Sequence, residues 1–189
     1  KPSAVYRATI MPVVLNSGLA KVLGKYALNK VDLITCRESI TFDHLKSINV
    51  DRAPLYCTAD KAFILDSISD SAAEKLLVDL DIHDLPRPLI GVMVVKGSTV
   101  FKAAFMEENY SPAEKYDRHV EEIALALDGV HNHTGGTFIF VPHCIGPGDD
   151  LDDRICARHV KEKMAKADHA YILNEELRVV ELKGLMGQF

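Results

Sequence analysis

Short apolar runs alternate with stretches of helical periodicity along almost the whole chain. Residues 4–10 predict a buried strand, and residues 15–29 set Leu19, Val22, Leu23 and Tyr26 on one face of a helix. Residues 31–35 predict a second, shorter strand that runs straight into Arg37-Glu38-Ser39. Ser39 or Thr41 is the expected cap of the next helix, which carries Phe42, Leu45 and Ile48. Residues 53–57 give a third strand, followed by Asp60-Lys61-Ala62-Phe63.

The composition turns polar near residues 66–71, and residues 71–81 predict a helix that Pro86-Arg87-Pro88 stops. That shift divides the chain into a first unit over 1–68, a linker helix within 69–88, and a second unit over 89–189. The run Leu89-Ile90-Gly91-Val92-Met93-Val94-Val95 has no polar face, so it predicts a doubly buried strand of a parallel sheet. A loop of about fifteen residues over 96–110 exceeds what a connector needs, which points to a functional or mobile segment. Ser111-Pro112-Ala113-Glu114 combines a cap, a proline in the first turn and an acid, and predicts a helix running to Asp128. Strands over 137–141 and 170–173 and helices over 151–167 and 176–186 complete an α/β pattern.

Composition narrows the class. The chain has 189 residues, 48% of them hydrophobic and 26% charged, which suits a folded chain with a real core. No apolar run approaches the roughly 20 residues of a membrane span, and Lys1-Pro2-Ser3 begins no signal peptide. Cys36, Cys57, Cys144 and Cys156 form no close pair and are expected as reduced thiols in a cytoplasmic protein. His131-Asn132-His133 lies beside Thr134-Gly135-Gly136 and is expected in a solvated loop, not at a metal. The net charge of −5 argues against a nucleic-acid partner. Its distribution is uneven: residues 1–66 hold nine basic and six acidic side chains, residues 67–189 thirteen and twenty-one. An anionic small molecule is therefore met more easily by the first segment.

Two strand ends carry candidate chemistry. Arg37 follows one strand and precedes a helix, where a guanidinium can pair bidentately with phosphate or carboxylate. Taken alone, an ion pair with Glu38 or Asp60 accounts for it more simply. In the second segment an apolar run ends in Pro142-His143, passes through Gly146-Pro147-Gly148, and meets Asp149, Asp150, Asp152 and Asp153 before a helix. His143 can transfer a proton or, as a cation, hold an anion; equally, it can be a hydrogen-bonded structural histidine. The two glycines let backbone N–H groups approach a ligand, and the acids are expected to cap the helix that follows. No dinucleotide fingerprint, phosphate-binding loop or local hydrolase motif is present.

Taken together these stretches resemble the polysaccharide pyruvyl transferase family. The segment Val31-Asp32-Leu33-Ile34-Thr35-Cys36-Arg37-Glu38-Ser39 is similar to its strand followed by Arg-Glu/Asp-Ser. Asp60-Lys61-Ala62-Phe63 is similar to its Asp-x-Ala-Phe element, and Phe140-Val141-Pro142-His143 with Gly146-Pro147-Gly148 and Asp152-Asp153-Arg154 to its Pro-His loop. Glu181-Leu182-Lys183-Gly184 resembles the helix leading into the family's tail. Two departures stand out. Thr9-Ile10-Met11-Pro12 replaces a segment that is often Ser-Ile-Gly-Pro, and neither the N-terminal Gly-Asp region nor the C-terminal Arg-x-His motif is present. The chain is therefore expected to be the middle of such an enzyme.

The resemblance implies two Rossmann-like parallel-sheet units as in GT-B-type glycosyltransferases, both incomplete here, with the site in the cleft between them. It implies transfer of the enolpyruvyl group of phosphoenolpyruvate to a saccharide or lipid-linked saccharide, in surface polysaccharide biosynthesis, with no metal or organic cofactor. Peripheral membrane association is compatible with such an acceptor. Arg37 is expected to clamp the anion and His143 to bind it or move protons, with Thr9, Glu38, Ser39, Gly146 and Gly148 contributing to substrate binding. The alternatives are a nucleotide-sugar glycosyltransferase on the same plan and a non-catalytic fragment or binding domain.

Overall fold

Six strands form two separate three-stranded parallel sheets in a computed structural model that describes residues 1–10, 18–96 and 110–189. Met11, Pro12 and all but the two ends of the long loop expected over 96–110 lie outside the described residues. The chain divides into two units, Lys1–Leu65 and Asp66–Phe189.

In the first unit, β1 (Ala4–Ala8), β2 (Leu33–Cys36) and β3 (Leu55–Cys57) pair in sequence order. Helices α1 (Gly18–Leu28) and α2 (Ser39–Ser47) make the crossovers that parallel pairing demands. The central strand β2 buries Ile34, Thr35 and Cys36, and Leu45 and Ile48 from α2 and its end pack with Ile34 and Cys36 in the core. Helix α1 differs from expectation in its orientation. Leu19, Val22, Leu23 and Tyr26 share a face, but that face is exposed. The helix meets the rest of the unit through half-buried Ala20, Gly24 and Leu28, of which Leu28 reaches the core. The cap of α2 also differs: Glu38 accepts the Thr41 N–H, whereas Ser39 is already the first helical residue.

The second unit contains α3 (Asp70–Asp79), β4 (Leu89–Val92), α4 (Pro112–Thr134), β5 (Thr137–Phe140), α5 (Asp153–Lys163), β6 (Ala170–Ile172) and α6 (Val179–Met186), with strand order β4-β5-β6. Strand β5 is buried throughout and alternates between two cores. Phe138 and Phe140 pack with Val120 and Ala124 of α4 and Val160 of α5. Ile139 and Val141 pack with Leu77 of α3 and Leu185 of α6. The helix expected as a linker, α3, thus contributes to the second unit's core. At Gly184 of α6 the chain passes so close to Ile68 that an added Cβ would lie 2.4 Å from Ile68 Cγ1.

Two expectations for this unit need correction. The run from Leu89 is not buried on both faces, for only residues 89–92 form strand and Met93 and Val95 are exposed. Strand β4 has one strand partner among the described residues, which leaves its far side without the cover a central strand receives. Helix α4 begins at the expected capping box, Ser111 with Glu114, but continues six residues beyond Asp128. It ends where Gly135 adopts φ +67°, donating its N–H to His131 O at 2.7 Å. His131 and His133 therefore sit in the last turn of a helix. His131 Nδ1 bonds Gly136 O at 2.8 Å, and its ring lies against His169 at 4.1 Å between centroids. No group of metal-ligating side chains occurs among the described residues.

Candidate functional site

The C-terminal ends of the three strands in the first unit bring Thr9, Arg37 and Asp60 together. Parallel pairing puts these strand ends on one edge of the sheet, although 28 and 23 residues separate the partners along the chain. Arg37 Nε donates to Thr9 Oγ1, and Arg37 Nη1 pairs with Asp60 Oδ2 at 2.8 Å. Asp60 is itself fixed, because its other oxygen accepts the Ala62 N–H at 2.9 Å and caps a short 3-10 turn, Lys61–Ile64. That amide and the guanidinium hold the Asp60 carboxyl below its usual range. The guanidinium is thus braced on two sides while half its side chain remains exposed, at 48%. Its Nη2 has no hydrogen bond among the described residues. The simple reading, an ion pair to Asp60, is realised.

Thr41 joins this edge to the core. It is buried to 1% exposure, and its hydroxyl accepts the Ile10 N–H at 3.0 Å while donating to the Glu38 carboxylate. The Thr41 hydroxyl and then the Thr41 and Ile40 amides lower the Glu38 pKa, with a smaller contribution from Arg37. Glu38 is therefore a helix cap that also secures the loop after β1. Ser39 is exposed, with no side-chain hydrogen bond among the described residues. Cys36, one residue before Arg37, is buried, and its thiol is pushed up to about 11 by desolvation and by Cys57 and Glu38 nearby.

In the second unit the loop from β5 to α5 is closed on itself. Ile145 bridges Asp152, Gly146 N–H reaches Leu151 O at 3.2 Å, and Leu151 N–H reaches Gly148 O at 2.8 Å. Gly146 has φ +119°, a conformation that favours glycine; Gly148 caps a 3-10 turn over Asp149–Leu151. Three of the four acids take different tasks. Asp152 caps α5 through the Arg154 N–H and grips the Arg154 guanidinium through both oxygens, which lowers its pKa. Asp150 pairs with Lys96. Asp153 turns back instead, one oxygen accepting both the His143 N–H at 3.0 Å and the Cys144 N–H at 2.8 Å. The His143 side chain is exposed and has no hydrogen bond among the described residues.

Sequence reasoning missed the Thr41 link and the backward reach of Asp153. Both residues have the spacing of ordinary helix-start residues, and nothing in their order distinguishes a cap from a tie to another strand end.

The fold and these strand-end clusters define an α/β protein with parallel sheets whose polar side chains gather where such folds receive ligands. A family model for polysaccharide pyruvyl transferase matches residues 5–189, and the chain belongs to that family. No curated protein and no solved structure gives a match.

Proposed function

We propose that this protein transfers the enolpyruvyl group of phosphoenolpyruvate to a pair of saccharide hydroxyls, forming a pyruvate ketal on a surface polysaccharide or its lipid-linked precursor. Family membership supports pyruvyl transfer. The observation that carries the donor assignment is Arg37, a guanidinium fixed by Thr9 and Asp60 at a strand end, with Nη2 unbonded among the described residues. Phosphoenolpyruvate offers a phosphate and a carboxylate, both of which suit such a fork.

In this reaction a proton adds to the vinyl CH2, making a methyl group and an oxocarbenium-like carbon. A first hydroxyl attacks that carbon and loses its proton. Phosphate then leaves with cleavage of its C–O bond, which restores the oxocarbenium-like carbon, and the second hydroxyl attacks it and loses its proton to close the ketal. Arg37 steadies the anion, and the His143 imidazole supplies or receives a proton. The proposal invokes no metal or organic cofactor. Because phosphoenolpyruvate is made inside cells, it assigns the reaction to the cytoplasm, and a lipid-linked acceptor would bring the protein to a membrane surface. No described helix is long and apolar enough to cross one.

The nucleotide-sugar alternative is less well supported. A diphosphate would seek backbone amides at the β5–α5 turn, yet the His143 and Cys144 amides already serve Asp153. Phosphate release from phosphoenolpyruvate by the protein tests the proposal. Arg37→Ala is expected to lower kcat/KM by about 10²-fold or more, with Arg37→Lys intermediate. Near-normal release by Arg37→Ala removes Arg37 from the site.

A further inference from the structure

Asp153 is 7% exposed, yet the described residues give its side chain no cation; its bonds go to two backbone amides instead. These belong to His143 and Cys144, the turn from β5 into the Gly146–Gly148 loop. Asp153 also donates its own N–H to Cys144 O at 2.9 Å. It is thus joined to the turn from both sides, at the start of α5. Two backbone N–H groups therefore converge on one carboxylate oxygen. The outcome is asymmetric: the His143 backbone is held while its imidazole stays exposed and unbonded among the described residues.

We infer that Asp153 is a positioning residue for His143: a buried carboxylate that fixes the backbone from which the imidazole reaches its substrate. The inference rests on the reading of His143 given above. It also gives Asp153 a task different from that of Asp152, its neighbour in sequence, which caps the helix and holds Arg154.

Two measurements test it. In the 189-residue chain, the His143 and Cys144 amides should exchange with solvent slowly, and Asp153→Asn should shift both resonances. Fast exchange at both amides overturns the inference whatever any variant does. In the transfer assay, Asp153→Asn weakens the two bonds to backbone N–H groups, and kcat should fall about tenfold with little change in KM. The decisive comparison adds Asp153→Asn to a His143→Ala background. A residue that acts through His143 costs nothing further there, whereas a structural residue costs the same again. An additive loss overturns the inference, as does a silent Asp153→Asn. Loss with Asp153→Asn but none with His143→Ala also overturns it, while the donor assignment stands or falls separately with Arg37→Ala.

Discussion

Thr41 connects the site edge of the first unit to its core, so removing its hydroxyl should be felt in both. Thr41→Val keeps the side-chain shape almost unchanged and deletes one oxygen. That oxygen accepts the Ile10 N–H at 3.0 Å and donates to Glu38, and with 1% exposure no water readily replaces it. One neutral bond is worth about 1 kcal/mol net, and one to a charged group about 1.5–3 kcal/mol. The extra apolar methyl recovers part of that sum, leaving an expected loss of about 2 kcal/mol in unfolding free energy. Thr41→Ser keeps the oxygen, and its loss should be limited to about 1 kcal/mol for the missing methyl. Urea unfolding of the 189-residue chain measures both, with the first unit followed through a probe attached there.

The same substitution changes the pH dependence. The Thr41 hydroxyl is the largest cause of the lowered Glu38 pKa. A carboxyl whose folded pKa lies below its unfolded value stabilises the protein above the unfolded pKa, here near 4.5, and loses that contribution as pH falls through the folded value. Wild type should therefore lose stability below about pH 4.5 more steeply than Thr41→Val. Equal stabilities for Thr41→Val and wild type at pH 7, or parallel acid limbs, would refute the assignment of Thr41 as the link between Ile10 and Glu38.

Two further outcomes follow from packing. Gly184→Ala should destabilise the second unit by about 1–3 kcal/mol, because its Cβ would lie 2.4 Å from Ile68 Cγ1, and Ile68→Ala should relieve part of the loss in a double-mutant cycle. Cys57 and Cys144 are exposed and Cys36 and Cys156 buried, so a thiol reagent at pH 8 should label two cysteines in the folded protein and all four in denaturant. Rapid labelling of Cys36, whose thiol is pushed up to about 11, would contradict its burial between β2 and α2.

The alternation of apolar runs and helical periods revealed the parallel α/β plan because each element carries its own period. What it could not reveal is which face or edge each element meets. Residues 89–95 and 137–141 are similarly apolar, yet one run is half exposed at the edge of the described sheet and the other is buried at its centre. Position in the sheet, not composition, separates them. Helix α1 has large apolar residues on one side and Ala20, Gly24 and Leu28 on another, and it is the second set that faces inward. Hydrophobicity favours the first set, yet only Leu28 of the second reaches the core. Helix α4 runs through Gly129, whose position has open space around it, and stops only where Gly135 supplies a left-handed turn. At the site, Arg37 and His143 were legible as strand-end residues. Of their supports only Asp60 was, as one of two ion-pair candidates; Thr9 and Asp153 reach them through strand register and a folded-back loop.

Those supports explain how charge is distributed at the two strand ends. An exposed helix N-terminus near a strand end is ordinarily an anion site, because its free amides carry partial positive charge. Here both nearby helices are already supplied. Glu38 takes the Thr41 amide of α2, and Asp152 and Asp153 serve the start of α5 and the turn before it. Backbone dipoles therefore have little left to offer a phosphate at either place, and recognition of an anion must fall to a side-chain cation. In the first unit Arg37 is held at a strand end with Nη2 unbonded among the described residues, within the segment that carries the positive balance. Asp60 does not cancel it. A half-exposed ion pair is worth little on its own, but its geometry fixes a guanidinium that would otherwise sample many rotamers, so less entropy is lost when an anion binds.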